Sequence, residues 1–167
     1  MIALQVQDVK DFMSRLLIGN TFDSFWLCEA SITTFVTYHI DGALHRDFFD
    51  TEQSEILSRT GRTFSLWKEQ KPFCYSIVKG KHTPLHFKII FQLSKNNLEK
   101  MLAGSGLDWR PEDVFGLYLN IQYDGDGVTC TTGSSLKTFS MDKTLDRYWD
   151  ESVQNFFKTS GIAVGRV

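Results

Sequence analysis

Between Trp67 and Leu93 the chain reads WKEQKPFCYSIVKGKHTPLHFKIIFQL, and this stretch leaves few options for the fold. Leu66, Trp67, Phe73, Cys74, Ile77 and Val78 recur at helical spacing, so the spacing predicts a helix up to Val78 with Gly80 just past its end. Pro72 stands inside that pattern. Either the helix kinks there, or a second helix starts with Pro72 at its first position, where the missing N–H is no loss. After the basic loop, Pro84 opens a strand from Leu85 to Leu93. Both of its parities are apolar (Phe87, Ile89 and Phe91 on one, Ile90 on the other), which predicts a central strand covered on both faces.

The flanking segments extend this alternation of strand and helix. Ile2, Leu4 and Val6 read as a strand, and Asp8 as the N-cap of a helix carrying Val9, Phe12, Met13, Leu16 and Leu17. Phe25 to Ile40 alternates long enough for one bent strand or two. Asp41-Gly42 is then expected to turn a hairpin into Ala43-Leu44, since glycine accepts positive φ. Thr51 to Arg59 reads as a polar helix capped by Thr51, with Gly61 beyond it. Ser94 caps a helix that ends at Gly104-Ser105-Gly106. Leu117 to Tyr123 and Val128 to Thr132 form a hairpin around Asp124-Gly125-Asp126-Gly127, and Leu136 to Phe139 is a further short strand. Asp142 starts a last helix with Leu145, Tyr148, Trp149, Val153, Phe156 and Phe157 on one stripe, stopped by Gly161.

The order of these segments repeats. The strand at Ile2 matches that at Phe87, the cap Asp8 matches Ser94, Asp41-Gly42 matches Asp126-Gly127, the Trp67 helix matches the Trp149 helix, and Gly80 matches Gly161. The expected class is α+β, antiparallel sheets with packed helices, in one globular domain spanning 1–167. Halves 1–80 and 81–167 would be related by a pseudo-two-fold.

With 167 residues, 42% of them hydrophobic and 14% aromatic, the chain can bury a core without disulfides or metal. The three cysteines, Cys28, Cys74 and Cys130, are odd in number and sit among apolar or β-branched neighbours, which points to buried inert thiols in a reducing compartment. No leader-like N-terminus and no long apolar run is present, so the expectation is a soluble, cytoplasmic protein with no membrane association.

Motifs for catalysis are missing from this chain. It holds no phosphate-binding P-loop, dinucleotide fingerprint, nucleophile elbow, H-E-x-x-H or C-x-x-C. Pro84 between His82 and His86 argues against a helical metal pair, and Asp124/Asp126 lack the glutamate that a calcium loop needs. Ser105 and Ser134-Ser135 have no partner placed by sequence. Asp108, Arg110, Glu112 and Asp113 are a compact polar group whose acids read better as caps than as catalysts. No cofactor is expected, and the reading leans away from an enzyme.

Charge distribution singles out one surface. Residues 1–61 carry four Lys/Arg against nine Asp/Glu, residues 62–100 eight against two, and residues 101–167 six against nine. The basic middle can pair with the acidic flanks, or leave a positive patch. If a patch survives, Lys79, Lys81, His82 and Lys88 are the residues to hold an anionic ligand or nucleic acid, because amines supply point charges and Gly80 lets backbone N–H groups approach a phosphate. Two roles are therefore carried forward: a non-catalytic binding or adaptor module with a protein partner, and a phosphate-ligand or nucleic-acid binder acting through loop 79–88. By fold analogy alone, the doubled unit also resembles the building block of sliding clamps.

DVKDFMSRLLIGNTFD, KPFCYSIVKGKHTPLHFKIIFQLS, GLDWRPEDVFGLYLNIQYDG and WDESVQNFFKTSGI together resemble a family of uncharacterised bacterial proteins, of Clostridia-type Firmicutes, classed as a domain of unknown function. The resemblance spans nearly the whole chain. It implies a stand-alone, intracellular single-domain protein and assigns no active-site residue.

Overall fold

A computed structural model of the protein describes residues 1–167. Its strands are β1 (Ala3–Val6), β2 (Trp26–Thr33), β3 (Thr37–Asp41), β4 (Ser65–Leu66), β5 (His86–Gln92), β6 (Val114–Tyr123), β7 (Val128–Leu136) and β8 (Val164–Arg166). Its helices are α1 (Val9–Leu17), α2 (Thr51–Thr60), α3 (Trp67–Val78), α4 (Lys95–Ser105) and α5 (Thr144–Thr159). Seven strands lie in the order β3-β2-β5-β6-β7-β1-β8, with β4 added onto β2, and every pairing is antiparallel. The α+β class follows directly.

One face of this sheet carries the core. Leu4, Leu27, Ile32, Phe87, Ile89, Phe91, Leu119, Ile121 and Cys130 belong to a cluster of 28 buried residues that also takes in Phe12 and Leu16 of α1, Trp67 and Cys74 of α3, Leu98 of α4 and Trp149 and Phe157 of α5. Phe22, in the link between α1 and β2, is its hub. Its ring lies 5.6 Å from Phe12, 5.7 Å from Phe91 and 5.6 Å from Phe156, in edge and stacked arrangements that add to area burial. Residues from both halves of the chain share this one cluster.

The opposite face is largely uncovered, which corrects the expectation that β5 is sandwiched. Phe87, Ile89 and Phe91 are buried, whereas His86 and Lys88 are exposed and Ile90 is half-buried. The apolar second parity misled, because Ile90 alone supports it. Only one corner of that face is covered: Trp26 and Leu57 are buried outside the main core, and the ring of Phe64 lies 6.4 Å from Trp26.

A second correction concerns Asp41-Gly42. The hairpin closes earlier, at Thr34–Val36, where Thr34 N–H donates to the Val36 carbonyl at 2.9 Å and the hydroxyls of Thr33 and Thr37 lie 2.9 Å apart. Gly42 makes no turn. Its N–H still donates to Cys28 of β2, and a Cβ there would sit 1.7 Å from the carbonyl oxygen of Leu27. Glycine is present because another backbone passes too close for any side chain.

Smaller differences follow the same logic of tertiary placement. Asp50, not Thr51, caps α2, accepting from Gln53 N–H while the Gln53 side chain returns to Asp50 N–H. Pro72 lies inside one uninterrupted α3. Residues 128–136 form one strand rather than two, and β8, missed entirely, pairs with β1. Both halves run β-α-β-β-α if α2, β4 and β8 are set aside. Their pairing differs, however: β5 lies beside β6 of its own half, while β1 lies apart from β2, against β7 and β8.

Candidate functional site

The basic loop follows from how α3 ends. Lys79 leaves helical geometry with φ −63° and ψ 147°, its N–H still donating to the Tyr75 carbonyl at 2.8 Å. Gly80 then takes φ 137°, a region that side chains strongly disfavour, and reverses the chain into open space. Pro84 is buried and anchors the return, and Leu85 N–H donates to the carbonyl oxygen of Thr33 at 2.9 Å. This bond ties the loop to the β2–β3 hairpin. On its other side, a Cβ at Gly125 would lie 3.3 Å from the Leu85 carbonyl oxygen, so the 124–127 turn also abuts it. Three connections therefore meet at one end of the sheet.

Lys79, Lys81 and His82 are all exposed on this loop. Lys88 is exposed nearby, two residues into β5 on the uncovered face, in register with Ser31 and Gln122. Lys79 Nζ stands 5.9 Å from the ring centre of Tyr75. Of the eight cations between 62 and 100, Arg62 pairs with Glu69 and Lys71 with Asp23; Lys79, Lys81 and Lys88 enter no ion pair. Only Lys71 thus joins the basic middle to an acidic flank. The adjacent turn holds Asp124 and Asp126. N–H groups of Gly127 and Asp126 point at the Asp124 carboxylate and hold its pKa below the usual range, so its charge is directed into its own turn.

Sequence reading missed the apolar part of this surface. Phe35, assigned to the alternation of a strand, instead crowns the hairpin apex with 88% of its surface exposed, next to Val36 at 44% and near Leu85 at 64%. Phe35 forms no ring pair with another aromatic side chain. The segment TTFVT has no glycine, proline or asparagine to mark a turn, so composition carries no signal for it.

Cavities lie elsewhere. One, of about 430 Å³, is lined by Trp26, Gln92, Lys95, Glu112, Phe115 and Lys137. Another of about 300 Å³ lies between the 41–49 segment and the start of α3, with Asp41, His45, Arg62 and Glu69 on its wall. Its carboxylate Glu69 is committed to structure: it accepts from Leu66 N–H at 2.9 Å, from the Ser65 hydroxyl at 3.1 Å and from Arg62 at 3.0 Å. Arg62 Nε is buried beside them without a partner. Of the compact polar group, Arg110 and Asp113 form an exposed ion pair at 3.3 Å across a single 3-10 turn, and only Glu112 reaches a cavity. Ser134 donates to Asp146, which also pairs with Lys143.

Of the three thiols expected to be buried, Cys74 and Cys130 are, whereas Cys28 is half-buried. Burial raises Cys28 to about 11, with Glu29 and Asp41 adding to it, and raises Cys74 and Cys130 to about 12. All three are free. No helix is long and apolar enough to cross a membrane.

The sequence profile of a family of unknown function, DUF5721, matches residues 15–165. No curated protein and no solved structure matches the chain.

Proposed function

We propose that this chain, which belongs to the DUF5721 family of unknown function, is a non-catalytic binding module whose ligand is a polyanion held by Lys79, Lys81, His82 and Lys88. One observation carries the reading: Lys79 and Lys81 on the loop and Lys88 near the start of β5 are exposed, and no carboxylate pairs with any of them. Unpaired surface amines suit a phosphate backbone, because neutralising phosphates releases the counterions condensed on the nucleic acid, and that release drives association. The cavity side chains support the non-catalytic part, since Glu69 is occupied as a helix cap and Asp146, on the wall of a further cavity with Trp149 and Asp150, as the acceptor of Ser134. A shared core across both halves supports one domain over 1–167.

The test is binding of a fluorescein-labelled oligonucleotide by anisotropy across a salt series. Three amines on phosphates give a log–log salt slope between about −2 and −3. The Lys79→Ala/Lys81→Ala/Lys88→Ala variant should bind at least tenfold more weakly at low salt with its urea midpoint unchanged. Absent binding at low salt, or equal binding by the triple variant, rules the reading out.

A further inference from the structure

We infer that the polyanion is a single-stranded nucleic acid, and that Phe35 is the platform on which one of its bases stacks. The inference rests on the polyanion reading above and adds the class of ligand. Its basis is the pairing of an aromatic ring with amines on one rim. Phe35 is held at the apex of a three-residue loop clamped by the Thr34 N–H bond to Val36 and by the Thr33 and Thr37 hydroxyls. The strand that precedes it is bonded to the basic loop through Leu85 N–H and the Thr33 carbonyl. The ring is therefore presented by a closed hairpin whose preceding strand is bonded to the end of the basic loop, with most of its surface in water and no neighbouring ring to pack on.

A duplex offers phosphates but keeps its base faces stacked inside, so an exposed ring at this rim would gain nothing from it. A single strand offers both, a phosphate for each amine and a free base face for the ring. The uncovered sheet face continues the same surface with hydrogen-bonding side chains: Ser31, Lys88 and Gln122 lie side by side across β2, β5 and β6, and Thr33 lies beside His86. Asp124 and Asp126 bound the site on the β6 side; the first is folded into its turn, and the second sets a limit on how far the strand can run in that direction.

The experiment uses the full chain and three probes: a labelled oligothymidylate of about 16 nucleotides, a duplex of equal length, and heparin, which has negative charge but no bases. The expected result is tighter binding of the single strand than of the duplex. Phe35→Ala should weaken the single strand by about tenfold and leave heparin binding unchanged, and Phe35→Trp should restore single-strand affinity. If Phe35→Ala changes no probe, or weakens oligothymidylate and heparin equally, stacking is wrong while the polyanion reading stands. If polyglutamate displaces the oligonucleotide with the same dependence on Phe35, the ligand is an acidic protein segment and the nucleic-acid assignment falls. If the triple lysine variant binds all probes as wild type does, both readings fall together.

Discussion

The indole N–H of Trp67 donates to the backbone carbonyl of Leu16 at 2.8 Å, and both residues are fully buried. Leu16 belongs to the last turn of α1, where carbonyls have lost their helical partners. One side chain thus terminates α1 and locks α3 against it, with its ring packed 5.1 Å from Phe91 of β5.

Trp67→Phe should therefore be costly although an aromatic ring remains. It leaves the Leu16 carbonyl buried without a donor and opens a small void, together about 2–4 kcal/mol. Urea unfolding measures this; a loss below about 1 kcal/mol would show that water or a neighbouring group replaces the indole.

Two glycines should respond to alanine with opposite signs. At Gly42 the added carbon would meet the Leu27 carbonyl oxygen at 1.7 Å, so β2 and the segment that follows β3 must separate, and we expect a loss of about 3 kcal/mol or more. At Gly104, exposed within α4 with nothing near its Cβ position, alanine should stabilise by about 0.5–1 kcal/mol. Equal and small effects on the urea midpoint would contradict the close approach at Gly42.

The buried thiols predict an alkaline limit. Folding raises Cys74 and Cys130 from 9.0 to about 12, so the neutral thiol is the form the fold favours. That contribution is fully present below pH 9 and is lost as pH rises through about 12, because the unfolded chain ionises first. Stability should fall more steeply between pH 9 and 11 in the wild type than in Cys130→Ala. At pH 8 a thiol-specific disulfide reagent should leave the folded protein unmodified over a time in which all three thiols of the unfolded chain react; rapid labelling of Cys74 or Cys130 in the folded state would refute their burial.

Local chemistry was legible from residues alone. Asp8 accepts from Asp11 N–H and Ser94 from Asn97 N–H, as their positions ahead of periodic segments predict. Gly61, Gly106 and Gly161 follow their helices in left-handed or positive-φ geometry, and Asp124 to Gly127 turns the β6–β7 hairpin. These outcomes depend on neighbours within four residues, so the order of side chains decides them. The place of the basic loop belongs here too, because Gly80 and Pro84 punctuate it; its exposure does not, since charge counts left pairing with the acidic flanks open.

Tertiary structure decided everything that depends on which backbone lies beside which. Asp41-Gly42 carries the composition of a hairpin, yet its glycine answers to Leu27, a residue distant in sequence. Phe35 sits in an apolar alternation, yet the Thr33–Thr37 pairing lifts it out of the strand and into water. Ile90 shares apolar character with its neighbours, yet the helices bury the face opposite to it and reach its own face only at the Trp26 corner. Periodicity states how apolar residues can align within a segment; whether a second layer arrives to bury them is a property of the assembled sheet. In this protein that layer covers one side in full and the other only at the corner around Trp26, which leaves the ring of Phe35 and the amines of Lys79, Lys81 and Lys88 exposed to solvent.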